Sequence, residues 1–214
     1  MEKRVIRTLA CITILTLAAV SVRAQVIDGG FEVPGLPSWT LYNDTFQLTA
    51  AQMASGAPHG GTHVLQAYGP FSGSWNASGA YEKIAALPNE TITLSGFCMN
   101  PSGDKLTVGG ASFGAIQIIW LDASSATINT LQSTTVTATS PLDTWIPLSV
   151  SGTAPAGTAF VELEALHVNS PANEGGSVYF DDLSAVSAVP EPSTVVMALT
   201  GLLGLVAFAK KRCV

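Results

Sequence analysis

Between residues 25 and 188 apolar positions come in short runs, often at every second residue, and clusters of Gly, Pro, Asn, Asp and Ser separate the runs. The clearest run is AFVELEALHV, where Val161, Leu163 and Ala165 fall on one face and Glu162 and Glu164 on the other. Side chains alternate across a strand, so this spacing predicts a half-buried antiparallel strand. Further candidates are VIDGGFE, TFQLTAAQ, THVLQAY, AYEKIAAL, TITLSGFCM, GAIQIIWLD, TINTLQSTTVTA, TWIPLSVSG and SVYFDDLSAV. Between them lie turn signals such as PGLP, SGAPHGG, GPFSGS, LPNE, NPSGD, APAG and NSPANEGG. About ten short strands at this spacing predict an all-β fold, a two-sheet antiparallel β-sandwich with jelly-roll topology.

Both ends break the pattern. Residues 1–24 have a basic start, an apolar run from Leu9 to Val20, and Val22-Arg23-Ala24 at the close. That order predicts a signal peptide, a helix cut after Ala24 by signal peptidase, and export through the inner membrane. At the other end VPEPS leads into an apolar run and then Lys210-Lys211-Arg212. A helix over about 194–209 would be about 22 Å long, short of the ~30 Å hydrocarbon core. It suits transient membrane insertion with the basic end held in the cytoplasm. The division is therefore signal peptide 1–24, sandwich 25–188 and tail segment 189–214.

Charge narrows the function. The chain's 214 residues carry a net charge of −6, and most basic residues lie in the two terminal segments. Lys83 and Lys105 are the only Lys or Arg residues in 25–188, against thirteen Asp and Glu. Such a body lacks the basic footprint that nucleic acid requires. Of the three cysteines only Cys98 belongs to the body, so no disulfide framework is expected, and Cys98 reads as a buried apolar residue. His59 and His63 are separated by Gly-Gly-Thr, which breaks the helix a His-x-x-x-His metal pair needs. Glu162 and Glu164 are paired acids, but both lie on one strand, and no cleft follows from the pattern. No catalytic residue is predicted and the protein is expected not to be an enzyme.

The densest aromatic cluster, QAYGPFSGSWNASGAYEK, offers Tyr68, Phe71, Trp75 and Tyr81 as sugar-stacking faces. Trp75 stands in loop composition, where ligand contact and loop packing both remain open, whereas Trp120 and Trp145 stand on strands as core residues. Six fragments in order, DGGFEVPGLPSW, SGAPHGGTHVLQAY, LPNETITLSGFCMNPSG, IQIIWLD, DTWIPLSVSGTAPAGTAFVELEAL and GGSVYFDDLS, resemble the galactose-binding-like jelly roll of carbohydrate-binding modules. The resemblance implies that the first and last strands adjoin. It also implies a structural calcium ion held by Asp28, Glu32 and Asp182 with carbonyls near residues 59–62. Neighbouring strand residues point to opposite faces, so only one of Asp181 and Asp182 is expected to face it. The tail, with Pro190, Glu191, Pro192 and then Lys210, Lys211 and Arg212, resembles the PEP-CTERM sorting domain of Gram-negative bacteria. That resemblance implies an exosortase as partner, and a mature form on the cell surface or outside the cell, in bacteria that make exopolysaccharide and biofilm. The expected function is non-catalytic polysaccharide binding. The alternatives are a purely structural matrix protein and, third, a carbohydrate-active enzyme.

Overall fold

The computed structural model describes residues 25–172 and 174–188. The expected signal peptide, the membrane helix and the sorting residues Pro190 to Arg212 lie outside the described residues. Among the described residues eleven strands form: β1 Thr40–Tyr42, β2 Thr45–Thr49, β3 His63–Tyr68, β4 Asn76–Ala85, β5 Thr91–Met99, β6 Phe113–Leu121, β7 Thr127–Gln132, β8 Val136–Thr137, β9 Ile146–Thr153, β10 Phe160–Asn169 and β11 Ser177–Ala188. One sheet runs β1-β4-β10-β6-β7, with β8 also on β6, and the other runs β2-β3-β11-β5-β9. The pairings between strands are antiparallel. The all-β sandwich expected from the apolar spacing is therefore present.

The core lies between the sheets and follows the alternation. Val161, Leu163 and Ala165 of β10 meet Ile116, Ile118 and Trp120 of β6 from one sheet, and Leu65, Leu94, Cys98 and Phe180 from the other. Trp120 and Cys98 are fully buried, and burial pushes the Cys98 thiol well up. His167 is also buried on β10, and neither ring nitrogen has a hydrogen-bond partner.

Two local expectations change. VIDGGFE forms no strand: Asp28, Phe31 and Leu36 adopt positive φ angles of 56°, 55° and 47°, so the segment winds through turns. Val26 and Phe31 still enter the core, with Phe31 against Trp39 at a ring distance of 5.0 Å. A strand missing from the sequence reading, β1, follows it. TINTLQSTTVTA divides into β7 and β8. A second, smaller core forms outside the five-stranded sheet, where Val64, Met99 and Tyr179 pack with Leu48, Met53 and Trp145. The segment 50–62 covers it: Ala54 N–H donates to the Tyr179 hydroxyl (2.8 Å) and Trp145 Nε1–H to the Ala57 carbonyl (2.9 Å).

Candidate functional site

Alternation on β10 leaves Glu162 and Glu164 on the outer face of the six-stranded sheet. Register then builds a row across four strands: Tyr81 on β4 opposes Glu164 on β10, which opposes Gln117 on β6, which opposes Gln132 on β7. At ~4.8 Å between strands this row is about 14 Å long. Gln117 Nε2–H donates to Gln132 Oε1 (2.7 Å), fixing the amide end of the row. At the other end Tyr42 of β1 opposes Gly79, and its hydroxyl donates to Glu164 Oε1 at 2.6 Å. Gly79 is what permits this reach, since a Cβ there would lie 2.7 Å from the Tyr42 hydroxyl and 2.2 Å from the Ala165 carbonyl. The Tyr42 and Tyr81 rings are 6.4 Å apart and tilted.

Burial, opposed by the Tyr42 hydrogen bond and reinforced by Glu162, holds the Glu164 carboxyl above the usual carboxylate range. Burial first and the Glu164 charge second push the Tyr42 phenol up as well. One face thus presents two aromatic rings, two carboxylates and two amides. Rings of this kind cover the C–H faces of sugars, and the polar groups meet hydroxyls at the rim.

The aromatic cluster expected to form one ligand site is divided. Tyr68 points out from the five-stranded sheet and stacks on Phe46 at 5.8 Å. Tyr81 points out from the six-stranded sheet. Phe71 and Trp75 stand on the connection between them, 46% and 58% exposed. Trp75 stands six residues before Tyr81, about 20 Å along the chain. Tyr42 was not anticipated; Thr40–Tyr42 is too short to read as a strand, and the one signal was an aromatic directly before the Asn-Asp turn.

The acids at the chain ends do converge, around residues 59–63. Leu183 N–H donates to the Gly29 carbonyl (2.8 Å), joining the first segment to the last strand. Glu32 accepts from the N–H groups of Thr62 (2.8 Å) and His63 (2.9 Å) and meets His63 Nδ1 at 3.1 Å. Burial works against its charge, but the His63 and Thr62 donors outweigh it and hold the carboxyl at about 2. Asp181 accepts from His59 N–H (2.8 Å), Gly60 N–H (3.1 Å) and Asp182 N–H (2.8 Å). Burial nonetheless lifts its carboxyl to about 6. Asp182 Oδ2 meets His59 Nδ1 at 2.6 Å.

Both Asp181 and Asp182 therefore reach the same loop, contrary to strict alternation, because Asp182 has a φ of 48° at a bulge in β11. Asp28 does not join them: its two oxygens accept from Glu32 N–H (2.8 Å) and Val33 N–H (3.0 Å) in its own turn. The loop presents N–H groups to these acids where calcium would need carbonyl oxygens. Among the described residues no three His, Cys, Asp or Glu side chains gather as a metal site requires. The arrangement forms a clasp held by backbone amides.

Residues 188–212 match the PEP-CTERM protein-sorting motif, which indicates export, processing by an exosortase and a surface or extracellular location. The curated proteins contain no match. The sandwich is similar to parts of several solved structures. The enzymatically active domain of bacteriophage CBA120 tailspike protein 4 aligns with a TM-score of 0.53 at 12% identity, over 76% of this chain. Only 21% of that tailspike domain is spanned. The CBM22-1–CBM22-2 tandem of Paenibacillus barcinonensis Xyn10C gives 0.51 at 17% identity over 80% of this chain and 47% of the tandem. A cyclase from Fischerella sp. TAU gives 0.51 at 16% identity, over 78% of this chain and 98% of the cyclase. In fold the chain is thus an all-β two-sheet sandwich similar to these domains, and residues 188–212 match the PEP-CTERM sorting motif.

Proposed function

We propose that this is an exported surface or extracellular protein that binds polysaccharide, without catalysis, on the outer face of its six-stranded sheet. The observation that carries the reading is the Tyr42–Tyr81 pair beside the Tyr81–Glu164–Gln117–Gln132 row. The row is long enough for about three sugar units, and its ends are held by side-chain hydrogen bonds rather than left free. Such pre-ordering lowers the entropy cost of binding.

A non-catalytic role is supported by the placing of the acids. Hydrolysis of a glycosidic bond uses two carboxylates flanking the bond. Glu162 and Glu164 are neighbours on one strand and one face, about 7 Å apart along it, and approach a ligand from the same side. The sorting motif supports a processed protein at the cell surface of a polysaccharide-producing, biofilm-forming bacterium, with membrane insertion only during export.

Affinity electrophoresis of the full chain through gels containing neutral β-glucans tests this. Retardation is expected for the unaltered protein, and Tyr81→Ala should lose it. Trp75→Ala should keep it, because Trp75 lies about 20 Å along the chain from Tyr81. No retardation by any glucan, or loss with Trp75→Ala alone, contradicts the reading.

A further inference from the structure

Glu164 is only 8% exposed, yet just one of its oxygens has a partner: Oε1 takes the Tyr42 hydroxyl and Oε2 accepts no hydrogen bond. Among the described residues Glu162, next on the same face, has no hydrogen-bond or ion-pair partner. Its cross-strand neighbour Lys83 is turned away, with Nζ donating to Ser125 Oγ (2.6 Å) and lying 4.9 Å over the Phe160 ring. Among the described residues the ion pairs are His59–Asp182 and His63–Glu32, so no Lys or Arg neutralises either acid.

A polysaccharide lying on this face covers both carboxylates. Covering an unpaired charge costs several kcal/mol in general unless the incoming group compensates it. Hydroxyls compensate in part. An ammonium group compensates fully, through a charge-assisted hydrogen bond, and the faces of Tyr42 and Tyr81 attract the same cation. A uronate would bring like charges together.

We infer that this face takes a polysaccharide bearing free amino groups, with Glu162 and Glu164 Oε2 receiving the ammonium and the tyrosines the sugar rings. The inference rests on the polysaccharide reading above and names its ligand class.

The test compares three hexasaccharides on the full chain in detergent at pH 6 by isothermal titration: the fully deacetylated β-1,4-glucosamine hexamer, cellohexaose and a guluronate hexamer. The first two share a backbone and differ at the 2-position. The glucosamine hexamer should bind about tenfold tighter than cellohexaose, with the preference falling as salt is added, and the guluronate hexamer should not bind. Glu162→Gln, which breaks no contact, should reduce the preference to about threefold or less. Equal binding of the glucosamine hexamer and cellohexaose, or an unchanged preference in Glu162→Gln, overturns this inference and leaves polysaccharide binding standing. No binding of any of the three overturns both.

Discussion

His167 is the residue whose environment departs furthest from its chemistry. It lies in the core with neither nitrogen partnered, and burial lowers its pKa from 6.5 to about 4. Above pH 6.5 it is neutral in both folded and unfolded chains and has no effect on stability. As pH falls from 6.5 to 4 the unfolded chain takes a proton that the folded one refuses. The contribution of His167 to stability then declines by about 3 kcal/mol across that window. Asp181 has the opposite sign, its raised folded pKa of about 6 adding stability as pH falls below that value. Urea denaturation of the full chain and of His167→Leu from pH 7 to 4 separates the two. The variant should lose the acid decline and gain stability relative to the parent most at pH 4. At Gly79 the expectation is steric. Gly79→Ala places a Cβ against the Ala165 carbonyl and the Tyr42 hydroxyl, so it should cost about 1–3 kcal/mol and weaken glycan binding.

At the scale of elements, the last strand and the loop before β3 act as one unit. The β11 bulge turns two successive acids to one side, and residues 59–63 answer with N–H groups and two histidines. His59 also stacks on Phe97 and meets Trp145 edge-on, so the clasp anchors the segment that covers the second core. Since N–H donors already satisfy these acids, scanning calorimetry with chelator and then with excess calcium should give the same melting midpoint. A rise with calcium would mean the loop turns its carbonyls inward. Glu32→Gln should speed amide exchange at Thr62 and His63 while leaving β10 protected, because the Gln amide oxygen can still accept from both N–H groups but lacks the charge that strengthens those bonds. Much of this was legible in the sequence. The strands of the body announced themselves by alternation, and Glu32 and Asp182 were rightly expected near residues 59–62. What alternation could not carry were the bulge, which depends on one positive φ, the turn-rich course of residues 25–39, and β1, whose three residues contain no period.

At the scale of the whole molecule, β11 runs to Ala188, where the match to the sorting motif begins. Ser187 hydrogen-bonds buried Glu90, so the strand is fastened up to its last turn of side chains. The proposed sugar-binding face lies on the sheet that does not contain β11, which leaves it clear of the strand that leads into the motif. That face was half legible: Tyr81 and the outward Glu162 and Glu164 could be read from spacing. Their union with Tyr42, Gln117 and Gln132 required the register of β1, β4, β6, β7 and β10, which no local pattern encodes. The central claim is that this face, rather than the loop around Trp75, binds polysaccharide. Its most direct test is amide chemical-shift mapping of the protein with a glucan hexasaccharide. The account predicts shifts concentrated at Tyr42, Tyr81, Gln117 and Glu164. Shifts centred on Phe71 and Trp75, or none anywhere, would contradict it.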